Sequence, residues 1–345
     1  MQLPLSVPTF EEKVAQRAIV LLLEPLYEQD FKDCSFGFRP GKSPHQALQQ
    51  LRNDIMEREG RWVIDVDLRR FFDTIDKGML RSLIAKRVGD GVVRKMIDKW
   101  LKAGILENGQ ITRSSLGTPQ GSGCSPLLAN VYLHYALDEW FYNEVLPRLK
   151  RRASLVRFCD DFVMVFENYS DCARVYRVLA SRMGRYALTL HEEKTRVVDF
   201  SFKRTQILKK EKAATFNFLG FTHVWGKSIK GKNVVRQYTA KDRYAKALGA
   251  LNEWCRENRH RPIGEQHAKL KLKMQGHYAY YGITSNGKRL QWYADQAARI
   301  WQKWLSRRTR NGSIHWERFS KVLQRFPLPE PRIVHQYTRP SETTS

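Results

Sequence analysis

Long apolar runs are missing from this 345-residue sequence: the richest, Ala18 to Leu23, falls far short of the roughly 18 residues that would read as a membrane span. The opening MQLPLSVPTFEEK has no basic stretch followed by a long apolar core, so it does not read as a secretory signal. Cysteine is scarce. Cys34, Cys124, Cys159, Cys172 and Cys255 are scattered and form no CxxC pair, which excludes a disulfide scaffold or zinc module and points to a reducing, cytoplasmic setting. Acidic residues are scarce in one region above all: only 9 of the 35 lie after position 200.

What is present complements those absences. The net charge is +25. Residues 1–200 contribute +4 of it, with 30 basic and 26 acidic side chains, and residues 201–345 contribute +21, together with six of the nine tryptophans. Excess basic charge neutralises phosphates and releases counterions, and aromatics stack on bases, so the second part reads as polyanion-binding. Hydrophobic residues at 42% and aromatics at 12% are enough for packed cores and exclude wholesale disorder.

Along the chain, Thr9 with Glu12 is a capping-box spacing, and Val14, Ala18, Leu21, Leu22 and Leu26 continue an apolar stripe, predicting a helix over about 9–31. A Gly/Pro-punctuated loop (34–45) leads through Ser43-Pro44 into a second helix. Residues 61–67 (RWVIDVD) read as a buried strand, 77–103 as helical, and 115–126 as a Gly/Ser/Pro-dense loop feeding a helix. Ser154–Phe158 and Phe162–Phe166 form a hairpin through Cys159-Asp160-Asp161, followed by a helix (about 170–187) and a strand pair near 188–200. Residues 201–215 are a basic loop, 216–225 a strand entering a turn, 226–235 a basic hairpin, 240–325 helical, and the tail after Pro327 extended. Asp67 thus ends one strand and Asp160-Asp161 tips a hairpin. Three converging carboxylates repel unless cations bridge them, and rigidly held oxygen ligands suit Mg²⁺. Two such ions clamp the attacking and leaving oxygens of a phosphoryl transfer.

These motifs, in order, resemble the reverse transcriptases, or maturases, encoded by bacterial group II introns. PLSVPTFEEKVAQRAIVLLLEPLYEQDF and SFGFRPGKSPHQAL are similar to that family's second conserved block, Asp67 to Asp73 (DLRRFFD) to motif A, and Thr118-Pro119-Gln120-Gly121 with SPLLAN to motif B. Phe158-Cys159-Asp160-Asp161 takes the place of motif C, with Phe-Cys where Tyr-Ala is usual; LHEEKTRVVDF resembles motif D and FNFLGF the primer-grip block.

The resemblance implies an α+β right-hand polymerase: partial fingers (1–60), a palm (61–225), a basic hairpin with a helical thumb or X domain (226–330), and an extended tail (331–345). Asp67, Asp160 and Asp161 are the implied catalytic and metal ligands, with the carbonyl of Leu68, for two Mg²⁺ ions; Asp65 shares a strand face with Asp67. Phe72, Gln120 and Lys194 are the implied nucleotide contacts. Arg17, Arg39, Lys42, Lys303, Arg307, Arg308 and Arg310 are the nucleic-acid candidates, and Lys227, Lys230, Lys232 and Arg236 form a further basic cluster. Trp292, Ile300, Trp301, Trp304 and Leu305 fall at helical spacings and read mostly as core. The implied partners are an RNA template, a DNA or RNA primer, group II intron RNA and dNTPs, with no membrane. The family's N-terminal fingers hairpin and a C-terminal endonuclease segment are both expected to be lacking. Alternative readings are a non-enzymatic RNA-binding splicing factor that uses the palm as scaffold, and a host-recruited reverse transcriptase in defence or repair.

Overall fold

The computed structural model describes residues 9–57, 60–102, 105–107, 110–112, 123–202, 214–228, 230–308 and 312–337. They fall into two compact units, 1–214 and 215–345. No helix among them is long and apolar enough to cross a membrane.

The first unit is built on one antiparallel sheet of β1 (Trp62–Val66), β4 (Ala153–Phe158), β5 (Asp161–Phe166) and β6 (Arg196–Asp199), in the order β4-β5-β1-β6. β2 (Ile105–Glu107) and β3 (Gln110–Thr112) pair separately. Strand β1 reaches β4 through α3 (Phe71–Thr74), α4 (Lys77–Ala85), α5 (Gly91–Lys102) and α6 (Ser125–Leu133), and β5 reaches β6 through α7 (Tyr169–Gly184). This is a β-α-β-β-α-β arrangement with a central hairpin. Strands β1 and β5 are the middle pair, and Phe162 to Phe166 are buried without interruption, as expected for a strand covered on both faces. The turn between β4 and β5 is only Cys159-Asp160, so the register fixes its tip: Phe158 pairs with Asp161, and Val66 with Phe162.

Helices α1 (Phe10–Glu28) and α2 (Pro44–Glu57) begin as the sequence predicts. Thr9 and Glu12 form the capping box, and the Ser43 hydroxyl accepts from the Gln46 amide. The buried stripe of α1 differs from the expected one: Gln16, Ile19, Val20, Leu23 and Tyr27 face the core, whereas Val14, Leu21 and Leu22 are exposed. The helix is apolar on two sides, so periodicity alone cannot choose between them. The face that packs carries Gln16, whose side-chain oxygen accepts from Gly123 N at 2.7 Å. The strand pair expected near 188–200 is also corrected. Only β6 forms there, beside β1, and Leu190 instead bridges Leu68.

The second unit starts with a three-stranded antiparallel sheet, β7 (Phe216–Phe218), β8 (Phe221–Lys227) and β9 (Asn233–Thr239). The single strand expected over 216–225 is therefore two. Leu219 and Gly220, both at positive φ, reverse the chain between them, and Gly tolerates that conformation without a Cβ penalty. The expected boundary at 225/226 falls inside β8, whose ladder to β9 keeps the whole sheet in the second unit. Helices α8 (Lys241–Glu257), α9 (Ile263–Tyr281), α10 (Gly287–Ser306) and α11 (Trp316–Arg325) follow. Their core includes Trp301, Leu305, Leu270, Met274 and Phe319, with Ile300 and Trp304 partly buried against it. Trp292 is half exposed and lies against Arg289 rather than in the core. The extended tail is tied down: Val334 and His335 amides donate to Gly282 O, and Tyr278 donates to Pro329 O.

Two histidines in this unit are held neutral. His223 is fully buried, stacked on Phe216 with Nε2 3.0 Å from Gln237 Nε2, and burial pushes its pKa down to about 3. His277 stacks on Tyr293 with centroids 3.8 Å apart, and burial lowers it to about 4. A depressed histidine stabilises the fold above its unfolded pKa near 6.5, and that contribution fades as pH falls toward the folded value. Each should therefore cost about 1.4 kcal/mol per pH unit below ~6.5. Hydrogen exchange of amides in 215–337 should accelerate from pH-corrected rates in that window, and His223→Gln should flatten the dependence; an equally steep profile in the variant would contradict this account.

Candidate active site: two strand ends and a hairpin tip

Asp67 follows the last residue of β1, and Asp161 opens β5 beside it, one position beyond the Val66–Phe162 pair. The sheet therefore brings the motif A and motif C carboxylates to one end of the central strands. Their charges interact: Asp160 is pushed above the usual carboxylate range, first by burial, with the Asp67 charge adding to it and the Cys159 thiol hydrogen bond opposing. Asp67 is about half exposed. It forms an ion pair with Lys194 at 2.8 Å, its carbonyl accepts from His191 N, and its amide lies 3.4 Å from Thr195 Oγ1. The motif D segment is thus tied to Asp67 through both backbone and side chain. Leu68 is buried and bridged to Leu190, and Phe72 is half-buried, edge-on to Phe71.

Among the described residues, no three His, Cys, Asp or Glu side chains are already grouped to hold a metal. The donor set nevertheless fits one in kind. The implied ligands are all oxygens, the hard type suited to Mg²⁺, and the Asp67 charge, which adds to the burial that raises Asp160, is a repulsion a cation would relieve. Cys159 offers no competing thiolate, since burial pushes its thiol up to about 12.

What fixes the tip lies beneath it, in residues the sequence reading did not single out. Arg157, in β4, is completely buried and pairs with Asp138 at 2.6 Å, both side chains at 0% exposure. The same guanidinium donates to Asn130 Oδ1 at 2.9 Å and to Cys159 O at 3.0 Å. Asn130 in turn donates to Gly37 O at 2.6 Å. The Ser35–Gly37 segment lies along β4, with Phe36 N on Arg157 O and Arg157 N on Cys34 O. A Cβ on Gly37 would stand 2.4 Å from Cys159 N, so only glycine allows that approach. These contacts hold Cys159 at φ +58°, a left-handed conformation costing an L-residue about 1–2 kcal/mol.

Helix α6 supplies both anchors because it does not stay regular. It continues into wider π turns at His134–Asp138 and Phe141–Val145. In a regular helix Asp138, eight residues after Asn130, would sit about 80° further round; the wider turn returns it to the same face. The available signals were the SFGF and SPLLAN motifs, legible as motifs but not as supports.

The other candidates are dispersed. Arg39, a nucleic-acid candidate, is buried in this structure: it donates through Nε and Nη2 to Glu28 and through Nη1 to the carbonyls of Lys32 and Ser35. Lys42 lies over Phe36 and 3.5 Å from Asp33, and Arg17 is exposed. Arg308 spends its guanidinium on the carbonyls of Arg259 and Arg261. Lys303 and Arg307 are exposed, both against Trp304. Gln120, its Thr118–Gly121 motif, and Arg310 lie outside the described residues. Asp65 is 3.6 Å from Arg196, yet burial outweighs that cation and raises it to about 6.

Two stability effects should follow. Removing one partner of a buried pair strands the other charge, so Arg157→Met should cost about 3–5 kcal/mol in urea unfolding, whereas Arg157→Met with Asp138→Leu should recover most of it. An additive double variant would refute the pairing as the main term. Asp65 has a raised folded pKa, so its contribution is present below pH ~4 and is lost as pH rises through ~6. Asp65→Asn should remove that dependence and be the more stable protein at pH 8, by up to about 3 kcal/mol; a less stable variant would contradict this.

Residues 2–223 match the family model described as reverse transcriptase (RNA-dependent DNA polymerase). Protein YkfC of Escherichia coli K12 is 30% identical over 224 residues, covering 56% of this chain and 59% of that protein. The group II intron-encoded protein LtrA of Lactococcus lactis subsp. cremoris is 44% identical over 131 residues, 38% of this chain and 22% of that protein. The chain thus spans less than two thirds of the length of these relatives. Among solved structures, apo telomerase from Candida tropicalis aligns with TM-score 0.50 at 13% identity, covering 90% of this chain and 56% of that one, a likeness of fold. The chain therefore belongs to the reverse transcriptase family, with homologues among the group II intron-encoded proteins and maturases.

Proposed function

We propose that this protein is an RNA-directed DNA polymerase of group II intron type, which extends a primer 3′-hydroxyl with dNTPs and binds intron RNA in support of splicing. The observation that carries this reading is the meeting of Asp67 with the Asp160-Asp161 tip at one end of the sheet, on a chain of the reverse transcriptase family. Asp67, Asp160, Asp161 and the Leu68 carbonyl would hold two Mg²⁺ ions, which when bound supply Lewis-acid activation of the primer hydroxyl and neutralise charge on the departing pyrophosphate.

The protein's own part is positioning and charge. The short hairpin fixes the two tip carboxylates on a buried scaffold. Lys194, on Asp67 here, is the cation that an incoming triphosphate would meet beside them. Phe72, backed by Phe71, would pack against the nucleotide sugar and disfavour a 2′-hydroxyl by bulk. The +21 of residues 201–345, with exposed Lys303 and Arg307, supplies phosphate contacts for template–primer and intron RNA.

Primer extension on an RNA template with Mg²⁺ tests the reading. Wild type should extend, and Asp160→Ala should lose more than ~100-fold, beyond what loss of an outer-shell partner gives, while still binding RNA. A folded wild type that binds RNA and supports splicing but never extends a primer would instead establish the non-enzymatic splicing-factor alternative.

A further inference from the structure

A second basic feature lies within the first unit and shares no residue with the carboxylate site. Helix α7 and residues 140–149, helical as far as Arg148, line a groove of about 600 Å³. Its rim carries Arg148, Arg174, Arg177, Arg182 and Arg185 against one acid, Glu144. Five like charges gathered round one carboxylate repel one another, and such a cluster is stable beside an anion. Glu144 is already shared, 3.8 Å from Arg148 and 4.0 Å from Arg182. Arg182 is fixed in the wall by donating to the carbonyls of Ala136 and Tyr135 and lying over Trp140. Arg174 reaches Asp171 at 3.6 Å. Among the described residues the Arg177 and Arg185 guanidinium groups make no ion pair; both are exposed.

We propose that this groove binds the phosphate backbone of RNA, giving the protein a second RNA contact apart from the carboxylate site and the basic second unit. The proposal rests on the RNA-binding reading above and adds a place to it. Three features select a nucleic-acid backbone. The cations are all arginine, whose planar fork matches phosphate oxygens in pairs. Arg174 and Arg177 on α7 and Arg185 at its C-terminal cap follow one another over eleven residues, about 16 Å, a length suited to successive phosphates rather than one small anion. The floor between them, with Trp140 and Val175, is apolar, which suits sugar and base edges.

The test measures binding of the full chain to a fluorescein-labelled folded RNA across a salt series. A groove variant, Arg174→Gln with Arg177→Gln and Arg185→Gln, is compared with a charge-matched control on α5, Arg94→Gln with Lys95→Gln and Lys99→Gln. Loss of three phosphate contacts should flatten the slope of log K against log salt by about 2–3 and weaken binding roughly 10–100-fold at moderate salt, while the control changes little and primer extension on a short template is kept. Arg177→Glu alone, at an exposed position, should weaken binding more than Arg177→Gln, which guards against a folding defect in the triple variant. Equal losses in groove and control variants, or no change in the groove variant, would overturn the proposal. So would displacement of RNA from wild type by low-millimolar inorganic phosphate, which marks a small-anion pocket only. A wild type that binds no RNA at all removes the RNA-binding reading itself, whereas an unaffected groove variant of an RNA-binding wild type removes the groove alone.

Discussion

The buried pair of Arg157 and Asp138 is the constraint on which the arrangement of the first unit turns. Two charges taken wholly out of water cost several kcal/mol each unless geometry and further hydrogen bonds offset that cost. Here they do, because the guanidinium is met by both Asp138 oxygens, Asn130 and the Cys159 carbonyl. The pair joins the two halves of the sheet architecture: α6 and its π turns on one side, the edge strand β4 and its turn on the other. The Gly37 segment closes the third side through Asn130. The hairpin tip that carries Asp160 and Asp161 is consequently held from below by polar contacts while its flanking strand is held by apolar ones.

Charge is then distributed by function of place. At the strand ends like charges are brought together and answered by a movable cation, Lys194, on a long exposed side chain. Under the hairpin the charges are buried, fixed and fully paired. Around α7 arginines outnumber the acids that answer them, Glu144 and Asp171. Coulomb energy of the same kind thus serves three ends, and burial decides which: in water-exposed positions the pairs are weak and exchangeable, in the interior they are structural.

Several elements were legible from local pattern because they depend on local physics. The capping box at Thr9, the Ser43-Pro44 helix start, the β1 run and the β4–β5 hairpin need only neighbours in sequence to be specified. The stripe of α1 was misassigned because that helix has two apolar sides, and Trp292 because helical spacing does not say which side is covered. Arg39 shows the same limit for charge: a lone arginine in a Gly/Pro loop looks available, yet Glu28 and two carbonyls consume it. The support formed by Arg157, Asp138, Asn130 and Gly37 spans residues a hundred positions apart and has no spacing of its own to read.

The sequence by itself determined the family, through ordered motifs whose residue types are dictated by phosphoryl-transfer chemistry, and it determined the uneven +25 charge that marks a polyanion partner. Tertiary structure alone decided which carboxylates meet, which arginines are spent inside the protein, and where unspent ones gather along α7. The reason is physical. Motif identity is written in single residues and near neighbours, whereas the worth of a charge depends on its burial and its partners, and those exist only once distant strands and helices have packed.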